Sequence, residues 1–322
     1  MPYTFQTFVS PPGTTFSAVL DIDNLGRVLG YSTTPGGDTV SWIWNGSAFT
    51  LIAAPGYATT TQVAQINDAG HVVGTVGAGA QRGFLWDGTT FTFIDPPGAT
   101  TTQLLALNAS DVVGGTYQDG GGVWHAFLYN GVTYTDIVSS AGGAAVRSVN
   151  ASGVAAGDAN GVAFLYDGAY HALTPPPGAT ALTAGEVNAS RILIGLTAEP
   201  IPGGFRYDGT MGTVTIPEAL ATAPTGINAA GQICGFFVTG LPALFGFVRD
   251  SSTDTVVTAP GLTLSALTAI NDHGVLVGLA LASPMLGFVA TPVVPLMTAL
   301  LPRVDSVVTP RWTVVAEVKT EP

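Results

Sequence analysis

The chain has 322 residues, of which 47% are hydrophobic and only 9% charged, with 21 acidic against 9 basic side chains and a formal net charge of −12. So much apolar material excludes a disordered polymer, and basic residues this few and scattered exclude nucleic acid as a partner. The 42 glycines and 22 prolines fall between short runs rich in Val, Ile, Phe, Tyr and Thr, the pattern of many short strands joined by turns.

At the start of the chain, YTFQTFVSPPGTT from Tyr3 matches a later phrase, FTFIDPPGATTT from Phe91. Repeat-like sequence therefore begins at once and leaves no room ahead of it for a secretory signal, so that a signal has been removed or none existed. A nine-residue phrase then recurs seven times: IDNLGRVLG from Ile22, INDAGHVVG from Ile66, LNASDVVGG from Leu107, VNASGVAAG from Val149, VNASRILIG from Val187, INAAGQICG from Ile227 and INDHGVLVG from Ile270. Successive copies start 44, 41, 42, 38, 40 and 43 residues apart, a period that marks a repeat array.

Each unit reads as four strands. In the second copy TQVAQIN, HVVGTV, RGFLWD and FTFI are strands, separated by the turn NDAG, the loop GAGAQ and the turn DGT. Asn, Asp and Gly at the reversals tolerate or require positive φ, and the aromatic and apolar positions of FLWDG, FLYNG and FLYDG alternate with period two. A four-stranded antiparallel unit of this length, repeated seven times, describes an all-β fold, a seven-bladed β-propeller. The last copy loses the pattern before its own fourth strand, so residues 3 to 9 are expected to complete its blade. The propeller is expected over residues 1–291, with a tail, 292–322, outside the repeat. The tail contains RWTVVAEVK, an alternating stretch suited to pairing with a blade edge in this molecule or in another copy; the alternative is a disordered remnant.

The phrases IN..G.VVG and HAFLYNG resemble the HAF-type extracellular repeat, named for the tripeptide that stands here as His125, Ala126 and Phe127. The resemblance covers about nine tenths of the chain. It implies bacterial origin, a propeller-like array and frequent export, hence an extracellular or periplasmic setting, with a cytoplasmic one left open by the lack of a signal. It implies no reaction or catalytic set. The other units read RGF, VAF, GGF, FGF and LGF, which fits a structural Phe preceded by a variable residue.

Ligands of propellers usually sit where the loops between strands two and three, and between strand four and the next blade, surround the channel mouth. Of the loops expected there, TYQDGGGVWH from Thr116 is the richest: Tyr117, Asp119, Trp124 and His125 fall within nine residues, enough to stack on a sugar or flat ligand and bond its rim. The alternative is that Trp124 packs on a neighbouring blade and His125 begins a strand. First strands line the channel, and their polar exceptions include Gln62, Gln103, Arg147 and Glu186. Arg147 and Glu186 occupy neighbouring positions in successive first strands and are expected to pair across blades, either as a structural link or as a polar anchor for a ligand.

Cys234 is the only cysteine, which excludes an intrachain disulfide and suggests a small buried side chain. The four histidines fall at different positions of the repeat, so no metal site is expected. DIDNLG has Leu25 where a calcium loop needs a ligand, and no cofactor motif occurs. From His273 to Pro302 the chain carries no Asp, Glu, Lys or Arg, but prolines 284, 292, 295 and 302 interrupt it, so no transmembrane segment is expected. The composite expectation is a non-enzymatic propeller that binds a carbohydrate, small molecule or protein on its loop-rich face. The alternative is a cyclase, isomerase or hydrolase that uses a largely apolar pocket in the central channel.

Overall fold

A computed structural model describes residues 2–198, 203–240, 243–251, 253–262, 264–280 and 285–293. Its strands form seven four-stranded antiparallel sheets, and among the described residues there is no helix, hence none long and apolar enough to cross a membrane. The ring closes as expected. Tyr3–Phe8 pairs with Leu286–Pro292, Tyr3 opposite Pro292 and Phe8 opposite Gly287, so the N-terminal strand completes blade seven. The closing blade extends to Pro292, and the RWTVVAEVK stretch lies outside the described residues.

The repeat phrase is explained by what its residues touch. Its last glycine is the cross-strand partner of the third-strand aromatic, as in Gly74 with Phe84 and Gly157 with Phe164. A methyl group added to Gly157 would lie 2.1 Å from the Ala145 carbonyl oxygen and 2.5 Å from the Phe164 ring. Each blade therefore needs a residue without a side chain on strand two, so that the aromatic of strand three can lie flat across it. Phe84, Phe127, Phe164, Phe205, Phe247 and Phe288, with Trp42 in blade one, are all fully buried. Burying rings of this size is the main apolar contribution of each blade interface.

The asparagine of the phrase links the blades. Its Oδ1 caps its own turn, as Asn150 Oδ1 does for the N–H groups of Ser152 and Val154. Its Nδ2 donates to the backbone carbonyl of the same residue one blade on: Asn67 to Asn108, then Asn150, Asn188, Asn228 and Asn271, which closes on the Asp23 carbonyl at 2.9 Å. These side chains are buried, so each bond also satisfies groups that would be costly left alone.

Every first strand carries a register shift within the four residues before the asparagine, or before Asp23 in blade one, for example between Leu104 and Ala106 in blade three and between Val146 and Ser148 in blade four. Such a bulge leaves one residue unpaired and re-aims its side chain. In blade four that residue is Arg147.

Candidate functional site

Blade three is built from Ala99–Leu107, Val113–Asp119, Trp124–Tyr129 and Tyr134–Ser140. Period two divides the residues that the sequence grouped in its loop. Trp124 lies on the face whose Ala126 and Leu128 pack against blade four. Tyr117 and His125 are cross-strand partners on the opposite face, where Tyr117 packs with Val73 and Leu104. The four side chains therefore serve two places and do not form one platform. Tyr117 is buried, and His125 stacks on it with ring centroids 4.4 Å apart and planes within 8°. Burial, followed by the hydrogen bond from its hydroxyl to Asp136, pushes the Tyr117 phenol up to about 12.

On the blade-four side a crevice of about 260 Å3 opens on the loop-rich face, lined by Gln103, Trp124, Arg147, Asp158 and Asn160 over a floor of small residues. Three residues singled out in the sequence, Gln103, Trp124 and Arg147, thus meet at one site. Gly142 shapes its wall, because a methyl group there would lie 2.2 Å from the Asn160 Oδ1. Thr116 ties the two blades beneath it by donating to the Ala144 carbonyl at 2.6 Å. Asp158 and Asn160 were not anticipated. Their segment, GDANG, reads as a plain turn, and only the pairing of Ala145 with Asp158 sets Asp158 beside the bulge.

The expected Arg147–Glu186 pair does not form. Arg147 bonds Asp158 of its own blade through Nε, with a second contact from Nη2. Glu186 instead accepts the Ile227 N–H of the next blade at 2.9 Å. The bulge is the reason: it displaces Arg147 toward the loop-rich face, whereas Glu186 stands directly before the repeat phrase and faces the other end of the channel. Glu186 is one of several side chains that reach across from that position, since Asp21 accepts from Ile66 N–H, Gln65 from Leu107 and Ser148 from Val187. Burial, followed by the nearby Asp21 charge, pushes the Glu186 carboxyl up to about 8, and burial raises Asp21 to about 6.

These groups line a cavity of about 170 Å3 that also holds Asp23, Asp68 and Asp272. The channel is polar at this end and is not the largely apolar pocket that the enzyme alternative requires. An apolar crevice of about 330 Å3 does exist, but between blades five and six, with Pro176, Pro177 and Ile216 in its wall.

Gln62 is exposed on the first strand of blade two, opposite Thr75, and joins neither cavity. Gln103 donates its amide to Gln81 Oε1 at 2.6 Å while lining the crevice. Among the described residues no three His, Cys, Asp or Glu side chains converge on a metal position. His71, His125 and His171 each meet an aspartate of a different blade interface or turn. Cys234 is buried, and burial pushes its thiol up to about 12.

No family model and no curated protein matches the chain. Solved structures do. A prolyl endopeptidase superposes with a TM-score of 0.59 at 12% identity, over 83% of this chain and 46% of its own, so this chain spans less than half of that enzyme. The virginiamycin B lyase of Staphylococcus aureus gives 0.55 at 10% identity over 90% of this chain and 100% of its own, and YCF48 bound to D1 peptide gives 0.53 at 11% over 91% and 98%. At such identities the likeness is one of fold, a β-propeller.

Proposed function

We propose that the protein is a binding module that takes a neutral carbohydrate in the crevice between blades three and four. The observation that carries this reading is the presence of Trp124 and Arg147 in one open crevice, with amides from Gln103 and Asn160 beside them. An indole face covers the apolar side of a sugar ring, and a guanidinium fork with flanking amides bonds its hydroxyls. Asp158 neutralises Arg147, and the chain as a whole is acidic, which favours a neutral polyol over a polyanion.

The fold leaves the question open by itself, because similar propellers include a lyase and a protein bound to a peptide, and function resides in the site. The likeness of HAFLYNG to the HAF-type repeat supports an exported setting, where free saccharide is met. Fractionation of the producing cell tests that part.

The binding reading is tested by screening the full chain against a panel of immobilised glycans and titrating any glycan retained. Trp124→Ala and Arg147→Ala are each expected to weaken binding about tenfold or more, the effect of removing a buried anchor. Unchanged affinity in both variants, with unfolding temperatures like the parent's, would overturn it. A protein or peptide retained in place of a glycan would do so as well.

A further inference from the structure

The opposite face of blade three carries a different chemistry, independent of the crevice. Ser139, on the outermost strand, lies directly across from His125. Its Oγ is 2.8 Å from His125 Nδ1, and His125 Nε2 is 3.2 Å from Asp119 Oδ2. We propose that Ser139, His125 and Asp119 form a nucleophile, base and positioning residue able to hydrolyse small acyl esters.

The hydrogen bonds determine the imidazole tautomer. The ionised Asp119 can only accept, and its carboxyl is held below the usual carboxylate range by the Val123 N–H and by His125. It therefore takes the Nε2 proton, and Nδ1 is left with a lone pair facing the Ser139 hydroxyl. That is the arrangement a general base needs.

Asp119 is itself fixed, because its Oδ1 accepts the Gly121 N–H at 2.8 Å and the Val123 N–H at 2.9 Å. His125 is fixed by stacking on the buried Tyr117. Asp136, bonded by the Tyr117 hydroxyl, lies 4.0 Å from Nδ1, where it faces the imidazolium that forms. Ser139 is exposed and belongs to the edge strand of its sheet. Alternate N–H groups of an edge strand point away from the sheet and can meet a developing oxyanion. The exposure of Ser139 on an edge strand suits short, unhindered acyl groups.

In the acylation step the Ser139 oxygen bonds the ester carbonyl carbon, the carbonyl π pair moves to its oxygen, and the hydroxyl proton passes to Nδ1. Collapse of the tetrahedral species breaks the bond to the alcohol oxygen, which takes the proton from Nδ1 as it leaves. Water then attacks the acyl-serine by the same route, releasing the carboxylic acid and restoring Ser139.

The test treats the full chain with a fluorophosphonate probe and follows p-nitrophenyl acetate hydrolysis against pH. One phosphonyl adduct on Ser139 is expected, absent in Ser139→Ala and formed about a hundredfold more slowly or worse in His125→Gln, the usual contribution of a positioned base. Asp119→Asn keeps an oxygen for the two turn N–H groups but no longer demands the Nε2 proton. It is expected to slow labelling and to alter the ionisation governing the rate, which a merely structural role would not do. Circular dichroism confirms that each variant is folded. No adduct, an adduct on any other residue, or labelling of Ser139 at the same rate in His125→Gln would overturn the proposal. None of these results bears on glycan binding across the blade.

Discussion

Arg27 holds the buried Asp23 through Nε and reaches past it with Nη2 to the Asp68 carbonyl of blade two at 2.9 Å. Asp23 stands where the other six blades have asparagine, and a carboxylate has no amide to donate to the next blade. Arg27 supplies the missing link from four residues on. Asp23 keeps the acceptor half of the role, taking the N–H groups of Leu25 and Arg27.

This relay predicts a rescue. Arg27→Ala leaves a buried carboxylate without its cation and should cost about 2–4 kcal/mol in denaturant unfolding. Adding Asp23→Asn restores an amide suited to the Asn67 carbonyl and should recover most of the loss. A double variant no more stable than Arg27→Ala would show that the ring does not depend on this link.

Gly157→Ala should destabilise by about 1–3 kcal/mol, the usual cost of overpacking. Trimming Phe164 to leucine should not rescue it. The added methyl group meets the Ala145 carbonyl at 2.1 Å as well as the ring, and backbone cannot yield as a side chain does. Thermal unfolding of the two single variants and the double variant decides it; full rescue would place the conflict in the ring alone.

The blade count, the closing strand and the buried aromatic were all legible in the sequence, because turn residues and period-two runs recur wherever backbone and core demand them. The partner of Arg147 was not. A bulge leaves no mark in composition, and in blade five the register shift spans Ala184 to Val187, wider than the single residue skipped in blade four. Positions adjacent on paper consequently face opposite ends of the channel. The split of Trp124 from His125 was available from strand alternation, once both were placed inside a strand. Ser139 was hidden for another reason: it lies 14 residues from His125, and only the pairing of strands three and four brings it near.

Asp158→Ala should change what the crevice prefers. Arg147 would lose the carboxylate that orients and neutralises it. Affinity for a neutral glycan should fall several-fold, and a uronic acid of the same linkage should gain, with a salt dependence absent from the parent. Titration of both ligands at two ionic strengths checks this. An equal loss for both would mean that Asp158 bonds the sugar directly.

Glu186 makes stability depend on pH with a definite sign. Unfolded, its carboxyl titrates near the ordinary glutamate value of about 4.3; folded, burial and the Asp21 charge raise it to about 8. Between these values the folded state binds more protons than the unfolded one, so stability falls as pH rises. The contribution is whole below about pH 4 and has been lost once pH passes the folded value. Asp21 acts in the same direction over a narrower window, ending near 6. Glu186→Gln keeps an oxygen for the Ile227 N–H and removes the titration. It should unfold with the parent at pH 4.5 and about 4 °C or more above it at pH 9, each kcal/mol being worth about 2–4 °C in a chain of this size. Asp21→Asn should bring the end of the loss to lower pH, because it removes the charge that helps hold Glu186 protonated once Asp21 is ionised and leaves burial to act alone on a lowered folded value; the fall should therefore also be smaller. A difference between Glu186→Gln and the parent that stays constant from pH 4.5 to 9 would mean that this carboxyl does not titrate in the window its burial dictates.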